Sequence, residues 1–188
     1  MSTGLIIGIC AAVFVFVLIL CFIGMYNGLV RVKNRADNGW AQIDTQLQRR
    51  YDLIPNLVET VKGYAKHESQ VFEEVTKARA GMASAQSVSD KANADNILSG
   101  TLKSLFAVAE AYPDLKANQN FKELQLELTN TENKISFARQ FYNDTVLAFN
   151  TAILLFPKNI VASMLKFTKM DYFKVDGEEV KTAPKVSF

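Results

Sequence analysis

From Leu5 to Met25 the chain runs for 21 residues without a charge, and that stretch constrains it more than any other feature. As a helix the run extends roughly 31 Å at about 1.5 Å per residue, matching a bilayer hydrocarbon core of about 30 Å. A secretory leader would need basic residues ahead of the run, and Ser2, Thr3 and Gly4 supply none. Phe22-Ile23-Gly24-Met25 fits a cleavage site poorly, and Cys21 follows Leu20 where a lipid-modified cysteine would follow a small residue. The run therefore predicts an uncleaved single-pass anchor over residues 1–25. Only the amino terminus is basic before it, whereas Arg31, Lys33 and Arg35 follow directly. Basic flanks stay cytoplasmic, so the expectation is an outside amino terminus and a cytoplasmic domain, with Tyr26 as an interfacial aromatic.

After residue 30, proline and glycine are sparse, and apolar residues recur at the steps of three and four that mark an amphipathic helix. The first seam runs Ala36, Trp40, Ile43, Leu47, Tyr51, Ile54, Val58, Val61 and Ala65, skips Glu68, and resumes at Phe72, Val75 and Ala78. Pro55 interrupts it, yet the seam keeps phase and the flanking Leu53 and Ile54 are apolar. One long helix, kinked at Pro55 and reaching about Ala85, is expected rather than a turn. Residues 81–93 read as a turn region, and Asp90 is expected to cap a second helix that runs to Tyr112. Pro113 and Asp114 stop that helix, and a third spans about Asn118 to Phe156, ended by Pro157. A short amphipathic piece follows, with Ile160, Val161, Met164 and Leu165 on one side. The tail over residues 168–188, with Tyr172, Phe173 and Phe188, reads as an irregular strap. The fold class is all-α: an N-terminal transmembrane helix continuing into an antiparallel bundle over residues 26–167, three long helices plus a short C-terminal one.

Chemistry is hard to place on this chain. Both cysteines, Cys10 and Cys21, lie in the apolar run, so the rest holds neither a disulfide nor a thiolate metal site. The single histidine, His67, is followed by Glu68-Ser69-Gln70-Val71 and lacks the second histidine of a zinc-protease helix. Tyr64 stands where a di-iron Glu-x-x-His motif would need glutamate. Glu123 and Glu127 share a helix face, the usual arrangement of a wet surface. No catalytic, cofactor-binding or metal-binding residue and no cofactor is expected, and a net charge of +2 makes no case for nucleic acid.

The expected sites are interaction sites. Residues 31–50 hold five basic residues against two acids, and a basic stretch beside a membrane can lie near anionic headgroups. Arg49 and Arg50 stand too far along an upright helix for that and are expected to pair with acids elsewhere in the bundle. Asn143 and Asn150, one heptad apart and each preceded by an aromatic, are either a row of interhelical hydrogen bonds or two solvated side chains. If the first helix reaches Ala85 unbroken, its lower half has no partner in the chain. That leaves Trp40, Ile43 and Leu47, and likewise Phe149, Ile153 and Phe156 at the far end of the third helix, as exposed seams for a neighbouring copy.

Several stretches resemble one family in combination: Tyr26-Asn27-Gly28-Leu29-Val30, Gln46-Leu47-Gln48-Arg49-Arg50 and Asp52-Leu53-Ile54-Pro55-Asn56-Leu57-Val58. Ala109-Glu110-Ala111-Tyr112-Pro113-Asp114-Leu115-Lys116-Ala117-Asn118, Thr131-Glu132-Asn133, Phe141-Tyr142-Asn143 and Pro184-Lys185-Val186 extend the match over nearly the whole chain. The chain resembles LemA family proteins. The resemblance implies an N-terminal anchor with a helical bundle in a bacterial envelope, and no enzyme. It also implies a branch linked to magnetosome membranes, and lipoprotein-like members whose domain faces the periplasm, the alternative topology here. The leading expectation is a non-enzymatic scaffold that self-associates and organises envelope proteins or membrane lipid. The rival is a monomeric tethered adaptor for another membrane protein acting in signalling or assembly.

Overall fold

The computed structural model describes residues 3–174; Pro184-Lys185-Val186 and Phe188 lie outside them. Six helices carry the described chain, with no strand among them: α1 (Thr3–Lys62), α2 (Ser69–Ser84), α3 (Val88–Glu110), α4 (Pro113–Ala117), α5 (Gln119–Ala152) and α6 (Lys158–Met164). The all-α expectation holds. Two compact units form. One gathers the described residues up to Gly39 with Phe141–Met170; the other gathers Trp40–Gln140 with the described residues from Asp171 onward.

In the second unit, α1 continues as helix through Pro55. Proline has no N–H to give the carbonyl four residues back, which here belongs to Tyr51. Arg79 of α2 supplies the missing donor: its Nε donates to the Tyr51 carbonyl oxygen at 3.2 Å. The Arg79 guanidinium also lies 3.8 Å from the centre of the Tyr51 ring. A helix-interior proline is thus accommodated by a side chain from a neighbouring helix.

The expected run to Ala85 is corrected. α1 stops at Lys62, and a short connection, residues 63–68, leads into α2. Gly63, costly inside a helix, begins it. Val61, Ala65, Phe72, Val75 and Ala78 are all buried. The seam therefore continues in sequence although the chain has left the helix, because both arms face one core. The connection is held at a corner: Tyr112 Oη donates to Glu68 at 3.3 Å, and Asn118 Nδ2 donates to Tyr64 Oη at 3.0 Å.

Helix starts follow local chemistry. Ser87, not Asp90, caps α3: its hydroxyl accepts from the Asp90 N–H at 3.0 Å, and the Asp90 carboxylate accepts from the Ser87 N–H, a reciprocal capping box. Pro113, expected only to end a helix, opens α4 where its missing N–H costs nothing. Asn118 caps α5, accepting from the Phe121 N–H at 3.0 Å. α5 ends at Ala152, four residues short of Phe156.

In the first unit, Leu29 of α1 packs with Phe149, Ile153, Val161 and Ala162, and Phe22, Met25, Val32, Phe167 and Met170 close around them. Gly39 permits the close approach of α1 to α5: an added Cβ would stand 3.3 Å from the Tyr142 Cα.

Candidate interaction surfaces

Four of the seam residues expected to face a neighbouring copy do not, and a fifth is half-covered. Ile43 and Leu47 are buried in the second unit, and Phe149 and Ile153 in the first. Once α1 turns at Lys62, the chain supplies its own partners for them, so the premise of an unpartnered lower helix falls. Trp40 is half-buried, its ring 6.2 Å from that of Phe173, with Lys91 Nζ 5.5 Å from its centre. The strap expected from Thr168 is irregular through Lys174 and anchored by Phe173, itself buried. Phe156 alone of the apolar candidates stands open, 79% exposed.

Asn150 is buried and serves a backbone rather than another helix. Its Nδ2 donates to the Met170 carbonyl at 2.9 Å, and its Oδ1 accepts from the Met170 N–H at 2.8 Å. One amide thus satisfies both polar groups of a residue with no ladder of its own. Asn143 is half-buried and also engaged.

The two arginines find acids, as expected of them. Arg49 Nη2 lies 2.5 Å from Glu127 Oε2, both half-exposed, a pair of modest worth. Arg50 is different. Its side chain is 6% exposed, and Nη1 meets Asp95 Oδ1 of α3 at 2.7 Å and Glu132 Oε2 of α5 at 2.8 Å. One guanidinium therefore ties α1, α3 and α5. Burial pushes the Asp95 carboxyl above its usual value; Arg50 pulls it back only in part, and nearby Glu132 pushes the same way as burial. Lys91 pairs with Asp44, a further tie between α3 and α1.

Sequence reasoning placed Tyr51 on the α1 seam; the buried residue is Arg50. Arg50 stands three after Leu47 and four before Ile54, and Asp95 three before Leu98. Opposite charges at apolar positions of two seams were the available signal. Arg79, by contrast, gives none in the sequence.

The second unit also carries two exposed apolar features. Between α2 and α3 lies a groove of about 690 Å³, lined by Ala78, Gly81, Ala94 and Ile97 with Lys77 and Asp90 among its charged members. Along α5, Leu126 and Phe137 project 61% and 74% exposed. Among the described residues, no three His, Cys, Asp or Glu side chains gather as metal ligands would. The N-terminal part of α1 is long and apolar enough to cross a membrane, with none of that window buried inside the protein; it fits a single-pass membrane protein.

Comparison with known proteins agrees with this architecture. The model of the LemA family matches residues 39–188. "Protein LemA" of Metamycoplasma hominis is 27% identical over 163 residues, covering 84% of this chain and 73% of that protein. "Magnetosome protein MamQ" of Magnetospirillum gryphiswaldense is 24% identical over 174 residues, 79% of this chain. "Magnetosome protein MamQ 2" of Paramagnetospirillum magneticum is 25% identical over 175 residues, again 79% of this chain. The chain spans 64% of the length of each of these two magnetosome proteins. With the family model covering most of its length, the chain belongs to the LemA family.

Proposed function

We propose that this is a non-enzymatic, membrane-anchored helical scaffold whose copies associate by seating the α5 ridge of one on the α2–α3 groove of the next. The groove carries the reading. Ile97 stands 61% exposed beside small side chains, an apolar recess that small residues leave open to close approach. Leu126 and Phe137, about three turns apart on α5, offer a matching apolar edge. Groove and ridge belong to different helices, so the contact either closes reciprocally into a two-fold dimer or, in the head-to-tail arrangement proposed here, propagates into rings or arrays. Such an array is a means of organising envelope proteins or lipid along a membrane.

Light scattering on the full chain in mild detergent tests the reading. The wild type is expected to have a multiple of the monomer mass, and Ile97→Asp and Phe137→Asp should each reduce it to monomer with ellipticity unchanged. A monomeric wild type would overturn self-association and leave the groove to a helix of another membrane protein, the adaptor reading. The domain is proposed to lie in the cytoplasm, because Lys158, Lys166 and Lys169 join Arg31, Lys33 and Arg35 in the unit that holds the span. A cysteine at Lys66, with Cys10 and Cys21 removed, should resist an impermeant thiol reagent in intact cells; labelling there would reverse the orientation.

A further inference from the structure

The chain returns to its own anchor. Phe22 and Met25, in the last turn of the apolar run, pack on the cluster of Phe149, Ile153, Val161 and Ala162. Tyr26, at the level of a membrane interface, has its ring 6.5 Å from that of Phe167. The end of α5, the turn after it and α6 are thereby fastened at the edge of the span. Phe22 sits about 4.5 Å of helix rise on the bilayer side of Met25.

The outer face of this fastened segment is apolar. Leu154, Leu155, Phe156, Ile160, Met164 and Leu165 are all exposed, while Val161 and Ala162 of the same short helix are covered. Sequence periodicity put Val161 with Ile160 and Met164 on one side; packing divides them, so Val161 faces the protein and the others face outward. A contiguous apolar surface of this kind rarely stands in water without a purpose. Charge surrounds it with one sign. Lys158, Lys166 and Lys169 are exposed, and no acid occurs between Asp144 and Asp171.

We propose that residues 153–166 form a second membrane contact. On this assignment, Leu154, Leu155, Phe156 and the outer face of α6 enter the acyl boundary of the leaflet in which the span ends. The three lysines take anionic headgroups around them. A lipid surface is the occupant because Phe22 and Met25, which pack on the same cluster, belong to the apolar run that is long enough to span a bilayer, and because lipid offers apolar chains beneath negative charge. Interfacial helices bury such faces roughly 5–10 Å into the headgroup and acyl boundary. The chain is then held by a span and an adjacent wedge, which restricts rotation of the span about its own axis.

The test uses the full chain in vesicles, with Cys10 and Cys21 replaced by alanine. An environment-sensitive fluorophore is placed in turn at Phe156→Cys, at Ile19→Cys in the span and at Lys103→Cys on the surface of α3. Lipids carrying an acyl-chain spin label should quench the Phe156 site as they quench the Ile19 site and leave the Lys103 site bright. Phe156 is open to solvent, so the label displaces no core. Quenching should be deeper with phosphatidylglycerol present than with phosphatidylcholine alone, and K158Q/K166Q/K169Q should erase that difference. A Phe156 site as bright as Lys103 overturns the proposal, whether water or a second copy covers it. A lipid difference that survives loss of the lysines removes them from it. Ile97→Asp should leave the quenching unchanged, which separates this contact from the self-association proposed above.

Discussion

Between Trp40 and Gln140 the helices are tied to one another by charge: Arg50 to Asp95 and Glu132, Arg49 to Glu127, Lys91 to Asp44. The unit that carries the span shows ties of another kind. Phe149 meets Phe167 edge-on at 6.1 Å, Leu29 fills a cluster of apolar side chains, and Asn150 grips the backbone of Met170. The contrast follows from solvent. A buried ion pair must recover the cost of leaving water, and a single partner left behind is expensive. Apolar contacts and a neutral amide carry no such cost, and they suit a unit that carries a helix apolar and long enough to cross a membrane. Charge gives something packing does not: one guanidinium reaching acids on two helices fixes their rotation and register, whereas apolar seams tolerate slippage.

The largest expected effect tests whether the α1 seam is core. Ile43→Asp with Leu47→Asp should abolish the cooperative unfolding transition and most of the ellipticity; an intact helical signal with altered mass would return these residues to an intermolecular role. Next comes Arg50→Ala, expected to cost about 3–5 kcal/mol by leaving Asp95 buried and uncompensated. Arg50→Met with Asp95→Leu should recover most of it in denaturant titrations. The pH dependence has a definite sign. The folded state holds a proton on Asp95 more tightly than the unfolded chain does, so this group's contribution is full below its unfolded pKa and is lost as pH rises through the folded one. Relative to Asp95→Asn, the wild type should therefore gain stability as pH falls toward the ordinary aspartate value of about 4. The cost of Arg50→Ala should shrink over the same range.

Arg79→Met should cost about 2 kcal/mol by orphaning the Tyr51 carbonyl, and in a Pro55→Ala background the cost should nearly vanish, since alanine restores the helix's own donor. A cost unchanged in that background would assign Arg79 to its contact with the Tyr51 ring instead. Smallest is Asn150→Ala, about 1–2 kcal/mol. Its signature should be local, with faster hydrogen exchange at the Met170 amide and little change elsewhere. A global loss of protection would mean that the first unit depends on polar ties as much as the second.

Much of this fold is legible in the sequence. The charge-free run, the apolar seam of α1, and the pairing of Arg49 and Arg50 with distant acids all follow from spacing and charge. The turn at Gly63 does not, because two helices packed on one core reproduce the apolar spacing of a single longer one. Glu68, the one polar residue on that seam, is where the chain had already turned. The open face of α6 was hidden for a related reason: periodicity groups apolar residues on a side without saying which of them the protein itself covers. The α2–α3 groove depends on what small residues leave empty, and no pattern of what is present announces it.

Pro55 and Arg79 also govern the order in which this sequence can drift. A lineage that first replaces Pro55 regains the helix's own hydrogen bond, and Arg79 then becomes free to change. The reverse order passes through a chain whose Tyr51 carbonyl has no donor. The two substitutions reach the same end state, but only one route stays on level ground, so the proline holds the arginine in place more firmly than the arginine holds the proline.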